Sequence, residues 1–238
     1  MDDNRLAAEL RAIVGERFVL TDSAELRAYE CDGNTIFRRT PRAAVLPAST
    51  DQVARVVRLL ASNGIAFIPR GAGTGLSSGV VPQNGEVMIG LSRMNRLIEL
   101  DLRNHRAVVE AGFPNLKITQ AAQDAGFYYA PDPSSQPVSS IGGNVAENAG
   151  GAHCLKYGVT TNHVLGLTVV TPDGAVVRLG GKSLDATGYD LVGLMVGSEG
   201  TLGIVTEVTV RLLRRPQGFK TVMALFDSIA QASDAVTG

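Results

Sequence analysis

A chain of 238 residues with a formal charge of −1 can bury one large core or two lobes, and its scattered basic residues offer no stripe for nucleic acid. No uninterrupted apolar run approaches the roughly 18 to 20 residues that span a bilayer, and the acidic opening Met1-Asp2-Asp3-Asn4-Arg5 lacks the apolar stretch of a secretion signal. A cytoplasmic protein without a direct membrane span is expected. Cys31 and Cys154 lack CxxC spacing and read as reduced structural thiols, not as a disulfide framework or as ligands of zinc or an iron–sulfur cluster.

In chain order, Leu6, Leu10, Ile13 and Val14 stand at helical spacing over residues 3–14, and a second short helix is predicted over 23–29; residues 1–40 are read as an N-terminal helical arm. The apolar run 43–46 ends at Pro47. A helix follows from Thr50, its expected cap, with Val53, Val56, Val57 and Leu60 on one face and Gly64 at its end. A strand over 66–69 gives the order strand, helix, strand, which predicts a right-handed parallel crossover. Short strands over 87–91, 97–101 and 106–110 complete a small α+β lobe, residues 41–110. A second lobe, 111–216, opens with a helix over 114–125 closed by Gly126. It continues with strands 166–171 and 175–179 about the type I turn Thr171-Pro172-Asp173-Gly174 and ends with a strand over 204–213. Residues 214–218 read as a linker. Residues 217–238 are expected to be the start of a truncated further domain, with a strand over 219–226 and a helix over 227–236. Apolar surface near 204–213 and 219–226 is then expected to be exposed and to promote self-association.

Glycine is in excess, 27 residues, about 11% against a usual value of about 7%, and it clusters at 71–79, 142–151 and 180–203. The first cluster, Pro69-Arg70-Gly71-Ala72-Gly73-Thr74-Gly75-Leu76-Ser77-Ser78-Gly79, follows a strand, and successive backbone N–H groups in such a loop make an anion-binding nest that suits a pyrophosphate. It is not a Rossmann loop, because Leu76 stands where GxGxxG needs glycine, and it lacks the GK[ST] of a Walker A loop. The second, Ser139-Ser140-Ile141-Gly142-Gly143-Asn144-Val145-Ala146-Glu147-Asn148-Ala149-Gly150-Gly151, places a glycine pair before a short helix, so helix N-terminal N–H groups are expected to face a phosphate or flavin oxygens, with Ser140 and Asn144 adding side-chain bonds. A third, Gly197-Ser198-Glu199-Gly200-Thr201-Leu202-Gly203-Ile204-Val205, leads into the last strand. Three such segments spread over some 130 residues suit one extended ligand lying across two lobes, and FAD has that length.

These motifs, together with Tyr29-Glu30-Cys31-Asp32-Gly33, Cys154-Leu155-Lys156-Tyr157-Gly158 and Gly188-Tyr189-Asp190-Leu191, resemble the FAD-linked 2-hydroxy-acid oxidase family, which holds FAD-binding subunits of bacterial glycolate oxidases, D-lactate dehydrogenases and D-2-hydroxyglutarate dehydrogenases. The resemblance covers essentially the whole chain. It implies a two-lobed α+β FAD-binding domain of the PCMH or vanillyl-alcohol-oxidase type and oxidation of a small 2-hydroxy acid by hydride transfer to flavin N5. It also implies that Pro69, Arg70, Gly71, Ala72, Gly73, Thr74, Gly75, Leu76 and Ser77 cradle the pyrophosphate. Pro131, Asp132, Pro133, Ser134, Ser140, Ile141, Gly142, Gly143 and Asn144 would line the flavin, with Asn148, Gly150 and Gly158 as further cofactor-binding positions; Glu199, Gly203, Ile204 and Val205 would complete the adenosine side. Some relatives bind FAD covalently through a histidine in the first loop; Thr74 stands there, so non-covalent FAD is expected.

His153 and Cys154 lie near the second cluster and read as packing or hydrogen-bonding groups, and His105 and His163 lack metal-ligand spacing, so no metal site is expected. No catalytic acid or base is assigned. The family further implies partner subunits, one carrying flavin and one an iron–sulfur cluster, that pass electrons to the membrane quinone pool and hold the protein at the inner membrane periphery. Two other readings remain open: a non-catalytic flavin-binding module of a complex, and an enzyme of the UDP-N-acetylenolpyruvoylglucosamine reductase group, which shares the Ser, Gly-Gly and Asn-Ala-Gly elements.

Overall fold

A computed structural model describes residues 1–182, 188–218 and 220–237. The amphipathic helix α1 (Asp3–Val14) is capped by Asp2, whose carboxylate accepts from Arg5 N. The short strand β1 (Val19–Leu20) and helix α2 (Ser23–Leu26) follow. Then come β2 (Ala43–Val45), α3 (Thr50–Ser62), β3 (Phe67–Arg70) and β4 (Val87–Gly90).

These strands form one sheet in the order β1-β2-β4-β3, with β4 parallel to both β2 and β3. The predicted strand, helix, strand unit therefore exists, but β4 is inserted between its two strands. Leu6, Leu10 and Val14 of α1 share a core with Val53, Val56, Val57 and Leu60 of α3 and with Val45, Val87 and Ile89 of the sheet. The cap of α3 is Ser49, whose hydroxyl accepts from Gln52 N, rather than the expected Thr50. Thr50 is occupied elsewhere: its hydroxyl donates to Thr206 Oγ1 at 3.0 Å. The helix ends as expected, with Gly64 at φ +63°.

The second sheet is built from β5 (Leu97–Asp101), β6 (Arg106–Glu110), β8 (Val164–Val170), β9 (Val176–Gly180) and β10 (Ile204–Arg211), antiparallel throughout, in the order β5-β6-β10-β8-β9. A small ladder joins β7 (Phe127–Tyr128) to β11 (Leu213–Arg214). The residues of β5 and β6, grouped by the sequence with the first lobe, belong to this second sheet, because β6 pairs with β10 from Ala107↔Val210 to Glu110↔Glu207, a partner about a hundred residues away. Helices α4 (Asn115–Ala122) and α5 (Ile141–Glu147) bury Ile118, Ala122, Ile141 and Val145 against Val109, Leu167, Val208 and Val210. The short helix α6 (Cys154–Tyr157) buries none of its residues, while α7 (Leu191–Met195) packs Val192 and Met195 against this core.

Two expectations about the C-terminal part are corrected. Strand β10 is central and alternates buried and half-buried positions, so residues 204–210 present no free apolar face. Phe219 lies outside the described residues, and residues 220–226 form no strand; an extended segment needs a hydrogen-bonding neighbour, and Val222, Met223 and Leu225 are exposed without one. Helix α8 (Ile229–Thr237) follows and buries none of its residues. In the third glycine cluster, residues 183–187 also lie outside the described residues.

Candidate functional site

Strand β3 delivers Arg70 to the start of the first glycine loop. Its guanidinium is buried, donates through Nη1 to Cys31 O at 2.8 Å, and lies over the Tyr29 ring at 5.7 Å. Burial pulls Arg70 below the ordinary arginine value, while Cys31, Tyr29 and Asp32 favour its charge. The loop folds around this group. At Gly73, φ is +70° and a Cβ would stand 2.2 Å from Arg70 Nη2, so only glycine lets the chain close over the guanidinium. At Gly71 a Cβ would meet Ser140 Oγ at 2.3 Å. That hydroxyl also accepts from Ala72 N at 3.2 Å.

The loop's backbone donors are the telling feature. Ala72 N is bonded to Ser140 and Ser78 N to Asp32 Oδ2, yet among the described residues nothing accepts from the N–H groups of Gly73, Thr74, Gly75, Leu76 and Ser77. Five successive free donors beside a buried guanidinium are chemically matched to an anion with several oxygens.

Helix α5 behaves differently from the sequence expectation. Its first-turn donors are spent inside the chain: Ile141 N on Phe113 O, Gly142 N on Ala111 O, Gly143 N on Ser140 Oγ and Asn144 N on Ser140 O. This helix therefore contributes side chains and shape, not free N–H groups. Asn144, buried, accepts through Oδ1 from Asn115 Nδ2 at 2.8 Å, which leaves its own amide hydrogens uncommitted. Ser139 Oγ is buried without any hydrogen-bond partner. The third glycine segment docks on the same helix, with Gly197 N donating to Val145 O and Glu199 N to Ala146 O.

Together these segments wall an open cleft of about 1030 Å³, its mouth to the solvent included. The cleft is lined by Pro69, Arg70, Gly71, Ala72, Gly73, Thr74 and Gly75, by Ser140, Gly142, Gly143 and Asn144, and by Glu199, Gly203, Ile204 and Val205. Fifteen of the predicted positions therefore meet at one place.

The others do not line it. Leu76 is exposed and Ser77 donates to the Glu147 carboxylate; Ile141 is turned into the core. Pro131 O accepts from Asn115 Nδ2, Asp132 accepts from His153 N and lies 2.5 Å from its Nδ1, and Pro133 O accepts from Gln136 N. Ser134 and Gly150 fall outside the lining. Asn148 ends α5 in the left-handed region and holds Thr161 N, and Gly158 packs against Asn162.

Several lining residues escape sequence reasoning: Asp32, Leu91, Glu147, Ala149 and Met195. Glu147 and Ala149 stand within the second glycine cluster, Met195 just before the third glycine segment and Asp32 in the Tyr29–Gly33 motif, but nothing local shows which of their neighbours turns toward a ligand; Leu91 is brought in by the end of β4. A second, more polar hollow lined by Ser92, Asn95, Pro114 and Lys117 shares Gly71, Ala72 and Ser140 with the main cleft. Among the described residues no three metal-ligating side chains converge, and no helix is long and apolar enough to cross a membrane.

A cleft with this donor row, walled by residues of a mixed sheet and of an antiparallel sheet, belongs to a known class, and residues 41–180 match the FAD binding domain family; the chain belongs to that family. Among its relatives is the glycolate oxidase subunit GlcD of Escherichia coli K12, 43% identical over 236 residues, which are 99% of this chain and 47% of that protein. The D-2-hydroxyglutarate dehydrogenase of Stutzerimonas stutzeri is 41% identical over 96% of this chain and 50% of its own length. Among solved structures, an alkyldihydroxyacetonephosphate synthase superposes with a TM-score of 0.80 at 26% identity, covering 92% of this chain and 42% of that one. The chain spans about half the length of the curated relatives it matches. The PCMH-type α+β fold is thus the fold of this chain, and FAD is its cofactor.

Proposed function

We propose that residues 69–79 cradle the FAD diphosphate, that Ser139, Ser140 and Asn144 border the flavin part, and that Glu199, Gly203, Ile204 and Val205 border the adenosine part. The observation that carries this reading is the row of unpartnered N–H groups of Gly73, Thr74 and Gly75 on the cleft wall, continued by those of Leu76 and Ser77 beside it. The rest of the lining fits the same ligand: Ser139 Oγ is a buried hydroxyl in need of a partner, and Glu147 and Glu199 offer acceptors for ribityl and ribose hydroxyls. Arg70 contributes a fixed positive charge beneath the loop. We assign residues 1–40 to an N-terminal arm, 41–216 to the FAD-binding domain and 217–238 to the start of a further domain.

The whole protein, in this reading, oxidises a small 2-hydroxy acid of the glycolate or D-lactate type to the 2-oxo acid, and the bound flavin supplies the two-electron acceptor. The chain's own residues bind and orient that group and set its electrostatic surroundings. The naming of the E. coli relative as a subunit supports assembly with partner subunits, one flavin-containing and one iron–sulfur, at the inner face of the membrane.

The test is an absorbance spectrum of the reconstituted, desalted chain before and after acid precipitation. A retained flavin band that acid releases is expected, since Thr74 offers no ring nitrogen for a covalent link. Colour that stays with the precipitate would overturn the non-covalent assignment, and absence of retained flavin would overturn the cradle.

A further inference from the structure

The N–H row of the glycine loop can face an anion only if the neighbouring carbonyls face the other way. We propose that the turn over residues 29–34 is a latch that imposes this orientation, with Asp32 as its positioning residue, and that FAD affinity depends on it. This rests on the diphosphate reading of the loop. The latch lies outside the stretch that matches the FAD binding domain family, residues 41–180.

Four bonds define it. Gly33 N donates to Gly75 O at 2.9 Å, and Asn34 Nδ2 donates to Leu76 O at 3.5 Å. Across a planar trans peptide the carbonyl and the following N–H point in opposite directions. Holding Gly75 O and Leu76 O against the turn therefore turns Leu76 N–H and Ser77 N–H away from it, and these are two of the five unpartnered donors. Asp32 Oδ2 accepts from Ser78 N at 2.8 Å and fixes the far end of the row. Cys31 O accepts from Arg70 Nη1 and fixes the near end.

The packing shows that this contact is built closely. Asp32 is only 7% exposed, and a carboxylate is costly to bury unless its oxygens are bonded; its Oδ1 accepts from Asn34 N at 2.8 Å, so one side chain shapes the turn and ties it to the loop. A Cβ on Gly33 would stand 2.8 Å from Gly75 O and 3.1 Å from Thr74 O, so a larger residue there would push the two segments apart.

The latch is tested in the full chain with Asp32→Ala and Gly33→Ala, with Asp22→Ala as control. Asp22 also accepts from two backbone N–H groups, but at the start of α2 and away from the loop. Two readouts are taken: amide hydrogen exchange at residues 33, 34 and 78, whose N–H groups make bonds of the latch, in the FAD-free chain, and FAD affinity by quenching of flavin fluorescence. Both latch variants are expected to exchange faster at these amides and to bind FAD roughly tenfold more weakly or worse, since a bond to a charged group is lost or displaced; the control keeps wild-type values in both. Asp32→Asn, which keeps one acceptor oxygen, is expected to fall between. Wild-type exchange and affinity in Asp32→Ala and Gly33→Ala would overturn the latch, as would equal changes in Asp22→Ala. A wild-type chain that takes up no FAD overturns the cradle reading instead, and the exchange rates then decide the latch by themselves.

Discussion

Gly73 carries two constraints at once, a left-handed φ and the Arg70 guanidinium where a side chain would go. Gly73→Ala is therefore expected to cost on the order of 1–3 kcal/mol of local strain and to abolish flavin retention after desalting, with the far-UV circular dichroism of the FAD-free chain unchanged. His163 makes a separate residue-scale prediction. Its ring is buried, Nε2 bonds Tyr157 O at 2.8 Å, and Nδ1 is buried without a partner. Burial pulls its pKa below the ordinary 6.5. The unfolded chain then binds more protons than the folded one as pH falls through 6.5, so the stability contribution is present above that value and is lost as pH drops toward the lowered folded value. The melting temperature is expected to fall on acidification below about pH 6.5, and His163→Gln to flatten that part of the profile; an unchanged slope would show that another group governs it.

At the scale of elements, the position of α3 against the second sheet rests on a short relay. Thr50 Oγ1 at the start of the helix donates to Thr206 Oγ1 on β10, and Thr206 donates onward to Thr168 O on β8. Thr206 is fully buried. Thr206→Val keeps the volume but strands the Thr50 donor and the Thr168 carbonyl, and it is expected to cost about 1–3 kcal/mol in denaturant unfolding. In a double-mutant cycle with Thr50→Val, a coupling of about 1 kcal/mol is expected; additive losses would mean that the two hydroxyls do not act together. The same relay explains why Ser49 caps α3. The sequence analysis expected Thr50 in that role, and a partner 156 positions away engages its hydroxyl instead.

For the whole molecule, the notable surface is the C-terminal segment after residue 216, where Val222, Met223, Leu225 and Ile229 are 84 to 90% exposed. Several neighbouring apolar side chains in water favour association. The chain is expected to show concentration-dependent self-association in light scattering, and deletion of residues 217–238 to yield a monodisperse protein that still retains FAD. Association that persists after the deletion would locate the sticky surface elsewhere, with Leu191, Leu194 and Tyr189 near α7 as the next exposed group.

The sequence by itself determined the regular elements with strong periodicity, such as α1, α3 and the β8–β9 hairpin, because helix and strand patterns are local properties of the chain. It also singled out the three glycine segments, from which the structure draws residues into the wall of one cleft. Only the tertiary structure decided which sheet holds β5 and β6, because strand pairing with β10 is non-local. It likewise decided that the free donors belong to residues 73–77 and not to α5, whose N–H groups are consumed by Phe113, Ala111 and Ser140. Whether a backbone donor is free depends on every acceptor that folding brings within about 3 Å. That is why the glycines were legible in the sequence while Asp32 and the bonds that turn Gly75 and Leu76 were not.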